Sequence, residues 1–66
     1  MKIAIVTVSD RASRGEYEDL SGPAMESIFA ELVPDAELSR LVVPDEQDAI
    51  LEALRSFEGW DWIFTT

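Results

Sequence analysis

The passage Ile3-Ala4-Ile5-Val6-Thr7-Val8, followed at once by Ser9-Asp10-Arg11, decides how the chain is read. Its first six residues are apolar or β-branched almost without interruption. A strand wetted on one side alternates; a continuous run marks a strand covered on both faces, as in the centre of a parallel sheet. The polar residues that follow then fall at the strand's carboxyl end, where open α/β sheets receive their ligands.

Outward from there, Ser9 to Asp19 reads as a long polar loop punctuated by Gly15. Ser21-Gly22-Pro23 is a helix start, because the N–H that proline lacks would be unpaired in a first turn anyway. Met25, Ile28, Phe29 and Leu32 recur at i, i+3, i+4 and i+7 and make one apolar helical face. Val33-Pro34 stops that helix, since the residue before a proline is pushed out of the α region. Glu37 to Val43 reads as a second strand, less cleanly patterned and nearer a sheet edge. Pro44-Asp45 turns the chain into a second helix with Ile50, Leu51, Leu54 and Phe57 on its apolar face. Gly59 lies past its end, where a left-handed residue is commonly needed. Trp60 to Thr66 makes a third strand. This β-α-β-α-β order implies right-handed crossovers and parallel strands. With the helices on opposite faces, the expected fold is α/β: a three-layer, doubly wound sheet of order 2-1-3. No repeat, low-complexity tract or linker divides residues 1–66.

Composition narrows the chemistry. Five basic and fourteen acidic residues give a net charge of −9, the wrong balance for neutralising nucleic-acid phosphates. The chain has neither cysteine nor histidine, so this segment offers no disulfide, thiolate metal site or imidazole base. Its chemistry falls to carboxylates, hydroxyls and the backbone. No apolar run approaches the ~20 residues of a membrane span, and Ile3 to Val8 is too short for a signal-peptide core. A cytoplasmic location is expected. A phosphorylated small molecule stays compatible with the acidity if backbone N–H groups, arginines or a divalent cation stand between the charges.

Three strand-end loops carry the candidates. In the first, Ser9, Asp10, Arg11 and Arg14 bring a hydroxyl, a carboxylate and two guanidinium groups to a phosphate or metal-phosphate pair. The same Ser9 and Asp10 are equally suited to satisfying turn backbone groups. In the second, Asp45 suits a metal and also suits capping the helix that follows it. Thr65 and Thr66 close the third strand. Glu16 to Asp19 reads as a solvated loop with Tyr17 folded over the site, and Trp60 and Trp62 as packing residues.

At these loops the sequence resembles the molybdopterin adenylyltransferases of molybdenum-cofactor biosynthesis, a domain shared with the N-terminal part of gephyrin. The matching pieces are VTVSDRASRGEYEDLSGPAM at 6–25, LVVPDEQDAI at 41–50 and IFTT at 63–66, in the family's order. The resemblance implies a homotrimer that transfers AMP from Mg-ATP to molybdopterin, and a partner protein for molybdenum insertion. It implies a role for Asp45 in adenylyl transfer and in holding Mg²⁺. Ser9 and Asp10 match the nucleotide and pterin pocket, with Arg11 beside them as a further binding candidate; Thr65 and Thr66 lead toward the family's Gly-Gly-Thr-Gly loop. That loop is absent here, so residues 1–66 are expected to be the N-terminal part of a single domain and inactive alone. The alternative is a non-catalytic molybdopterin-binding or scaffold domain of the same fold. A phospho-receiver would need an acidic pair after strand 1, and a flavodoxin a hydroxyl-rich loop; neither pattern is present.

Overall fold

A computed structural model of the chain describes all residues, 1–66. Its elements run β1 (Lys2–Val8), α1 (Asp10–Ser13), α2 (Ser21–Leu32), β2 (Glu37–Val43), α3 (Gln47–Ser56) and β3 (Trp62–Thr65). The sheet is parallel with order β2-β1-β3. β1 pairs with β2 from Lys2 opposite Glu37 to Val8 opposite Val43, and with β3 from Ile3 opposite Trp62 to Val6 opposite Thr65. The expected architecture is therefore present, and the uninterrupted apolar run is its central strand.

Alternation along β1 divides its side chains between two helical layers. Ala4 and Val6 pack with Val43, Ala53 and Phe57 under α3, and Val8, Ile50, Trp60 and Ile63 close around them. Ile3, Ile5 and Thr7 face the α2 side, where Phe29 meets Phe64 of β3 at 4.8 Å between ring centroids. Ile3, Ile5 and Val6 are almost fully buried, and each such side chain stabilises the fold by about 1.5–3 kcal/mol.

The elements differ from the expectation in four places. Ser9–Asp19 is not all loop: Ser9 Oγ accepts from Ala12 N–H at 3.2 Å and caps the short helix α1. α3 buries Ala53 and leaves Leu51 exposed, so its packed row is Ile50, Ala53, Leu54 and Phe57, again at helical spacing. On α2 the predicted face is half covered, with Met25 and Phe29 against the sheet but Ile28 and Leu32 exposed. Three strands are too narrow a platform to reach the whole stripe. β3 begins at Trp62 and not at Trp60, because Trp60 N–H closes back on Phe57 O (3.0 Å) in the turn after α3. Gly59 takes φ +89° in that turn, the left-handed conformation expected of it. At the foot of the sheet Asp61 clasps Lys2 twice: Asp61 N–H donates to Lys2 O (3.0 Å), and Lys2 N–H donates to Asp61 Oδ2 (2.7 Å).

Candidate functional site

Parallel strands deliver the loops after β1, β2 and β3 to one end of the sheet, and hydrogen bonds draw them together there. Ser9 N–H donates to Val43 O at 2.9 Å, joining the first loop to the tip of β2. Val8 N–H donates to Thr66 O (2.8 Å) and Thr66 N–H to Val6 O (2.9 Å), joining it to the tip of β3. Between β1, β3 and the start of α2 lies a cleft of about 280 Å³, walled by Thr7, Ser9, Tyr17, Asp19, Ser21 and Thr66 among others. This is the switch point between the strand followed by α2 and the strand preceded by α3.

The predicted residues separate around that cleft. Ser9 and Thr66 line it. Thr65 pairs with Val6 one residue earlier and so faces the α3 side of the sheet. Arg11 reaches back over the ring of Tyr17, its guanidinium carbon 5.5 Å from the centroid, within cation–π range. Arg14 is held by Glu16 at 2.6 Å. Tyr17 is half exposed and lines the cleft, so it does lie over the site.

Asp45 stands on the β2 loop, outside the lining of the cleft. Pro44 O accepts from Glu46 N–H at 2.8 Å, closing a three-residue turn with Asp45 at its apex. Helix α3 starts two residues later, with Glu46 at its N-cap position and no side-chain cap. Asp45 is thus not the cap of that helix; it lies one residue too early to reach the first-turn donors. Its carboxylate is exposed and engages no other group of the chain. Its backbone N–H donates to Asp10 Oδ1 at 2.9 Å. Asp10 is likewise outside the cleft lining, its carboxylate turned toward the β2 loop.

No cluster of three or more acidic side chains suited to a metal exists. Mg²⁺ in nucleotide sites is commonly held through one or two carboxylates plus substrate phosphates, keeping the rest of its shell as water. Asp45, exposed and with its carboxylate unengaged, offers one carboxylate of that kind.

One group at the site was not legible as such in the sequence. Asp19, read as part of a solvated loop, is half-buried and fully engaged. Its Oδ2 accepts from the hydroxyl of Thr7 at 2.9 Å, and its Oδ1 accepts from Gly22 N–H at 3.1 Å and Ser21 Oγ at 3.3 Å. Thr7 is the only buried polar side chain, 6% exposed, and this bond satisfies it. Asp19 thereby ties the start of α2 to the central strand. A Cβ at position 22 would crowd Asp19 Oδ2 and stand 3.1 Å from Thr7 Oγ1, so any larger residue requires the Asp19 carboxylate to shift. The spacing of Asp19 to Gly22 is that of a side chain capping a first turn, and this was the available signal.

An open parallel α/β sheet with a cleft at its switch point has the geometry in which such folds receive ligands. Comparison with curated proteins narrows this. The chain is 43% identical to molybdopterin adenylyltransferase of Helicobacter pylori over 53 residues, covering 79% of this chain and 30% of that protein. It is 36% identical to that of Haemophilus influenzae over its whole length, 36% of that protein, and 40% identical to that of Escherichia coli K12 over 82% of this chain and 28% of that protein. No family model matches the chain. The chain belongs to the molybdopterin adenylyltransferase family. It spans about a third of the length of the curated relatives it matches.

Proposed function

We propose that this chain is the N-terminal part of a molybdopterin adenylyltransferase, which transfers AMP from ATP to molybdopterin in molybdenum-cofactor biosynthesis. The observation that carries the reading is the identity of 34–43% to proteins of that name. The cleft between the ends of β1 and β3, with the β2 loop hydrogen-bonded to the loop after β1, supports it physically. In the reaction an oxygen of the molybdopterin phosphate attacks the α-phosphorus of ATP. The bond from that phosphorus to its bridging oxygen breaks, and pyrophosphate leaves with the electron pair.

Joining two polyanions makes positioning and charge neutralisation the main catalytic tasks. Asp45 is assigned to hold Mg²⁺ against the phosphates. The ion, when bound, offsets their negative charge. Ser9 and Thr66 offer hydroxyl groups to the substrates from the cleft wall, Arg11 a guanidinium and Thr65 a polar neighbour at the strand end. No helix of the chain is long and apolar enough to cross a membrane. The homotrimer, the cytoplasmic location and the molybdenum-insertion partner belong to the same proposal, as properties the family likeness implies.

The test is an assay of the full-length product with molybdopterin and Mg-ATP, following pyrophosphate and adenylylated molybdopterin together. Stoichiometric appearance of both is expected. Molybdopterin binding without pyrophosphate release would instead identify the non-catalytic scaffold of the same fold.

A further inference from the structure

We propose that Asp10 is a positioning residue for Asp45 and makes no direct contact with metal or substrate. The inference rests on the reading of Asp45 as the metal-holding residue. Its own observation is a hydrogen bond between loops 35 positions apart: Asp10 Oδ1 accepts from Asp45 N–H at 2.9 Å.

The donor and the acceptor are both held in place. Asp10 opens helix α1, whose first turn is fixed by the Ser9 cap, and Ser9 N–H is bonded to Val43 O. The carboxylate of Asp10 is thereby seated against the tip of β2. On the other side, the bond from Glu46 N–H to Pro44 O closes the turn at Asp45 from behind. The two bonds grip one peptide unit, that between Pro44 and Asp45: its carbonyl accepts from Glu46 N–H within the turn, and its N–H donates across to Asp10. The Asp10 bond ties that plane, and with it the Asp45 backbone, to the loop after β1. Carboxylate oxygens are stronger acceptors of backbone N–H groups than neutral oxygens are. Ser9 lines the cleft while Asp10 does not, which places the work of Asp10 on its neighbour's backbone.

The role needs a correctly placed oxygen and no charge, so two replacements separate it from the alternatives. Asp10→Asn keeps an acceptor in place and removes the charge. Asp10→Glu keeps the charge and displaces it by one methylene. Both go into the full-length protein, with Mn²⁺ binding in the presence of α,β-methylene-ATP followed by electron paramagnetic resonance. The amide proton of Asp45 is followed by NMR. Asp10→Asn is expected to bind Mn²⁺ nearly as the unaltered protein does and to keep a downfield Asp45 amide. Asp10→Glu is expected to shift that amide upfield and to weaken Mn²⁺ binding roughly 10- to 100-fold, as loss of a partner behind a metal ligand does. Equal weakening in both variants, or weakening only in Asp10→Asn, overturns the proposal, because the charge of Asp10 would then matter directly. No weakening in either also overturns it. Asp45→Asn runs alongside: undiminished Mn²⁺ binding there removes the reading of Asp45 itself, and this inference with it.

Discussion

Asp45 combines a backbone restrained on both sides with a carboxylate that nothing in the chain uses. Its charge therefore contributes little to the fold. Asp45→Asn in the full-length protein is expected to change unfolding free energy by less than about 0.5 kcal/mol, the usual range for such a surface site. Pyrophosphate release is expected to slow on the order of 100-fold, the scale of losing one electrostatic contact to the reacting centre. A matched loss of melting temperature would show the residue acting on the fold instead. Gly22 makes the opposite case. Gly22→Ala forces a methyl into the carboxylate of Asp19, and a cost of about 1–3 kcal/mol is expected from such overpacking. Urea denaturation checks it; an unmoved midpoint would mean that Asp19 swings away freely. The position of Asp45 at the end of β2 was legible because a proline-aspartate pair after an apolar run marks a strand end. The bond of Asp19 to Thr7 was not, since its partner lies twelve positions earlier and only the folded sheet brings the two together.

Among the elements, α3 shows what periodicity reveals and what it hides. Its spacing fixed the helix and the direction of its face, but Leu51 was placed on that face where Ala53 belongs. A methyl carries too weak an apolar signal to mark a contact, and Ala53 is buried because α3 lies close on β1 and β2. The consequence is measurable. Phe57→Ala is expected to cost about 3–5 kcal/mol, as removal of a core aromatic does. Leu51→Ala, at an exposed site, should stay within roughly 0.5 kcal/mol. Comparable losses from the two, measured by chemical denaturation, would place the face where the sequence first suggested. α2 teaches the complementary point. Its stripe was correctly located, yet a stripe says nothing about how wide a sheet will cover it, and Ile28 and Leu32 remain outside.

For the molecule as a whole, charge is the dominant surface property. Lys2 pairs with Glu37, Arg14 with Glu16 and Arg40 with Glu26, which leaves a large unpaired acidic excess within a chain of net charge −9. Self-repulsion opposes compaction, and salt screens it over a Debye length of about 10 Å at 0.1 M. The melting temperature is expected to rise as sodium chloride increases from low to physiological ionic strength. A fall would mean that the three exposed ion pairs outweigh the repulsion. The sheet order itself was readable in advance, because β1 alone carries an uninterrupted apolar run and only a central strand needs one. The double clasp of Lys2 by Asp61 has a mechanical consequence. β1 and β3 run side by side in the same direction, tied at their feet, so handles at Lys2 and Thr65 would pull them in opposite senses along their length. Their interstrand bonds would then bear the force together, in shear, and yield as a set. A hairpin pulled open from its free end gives way one rung after another.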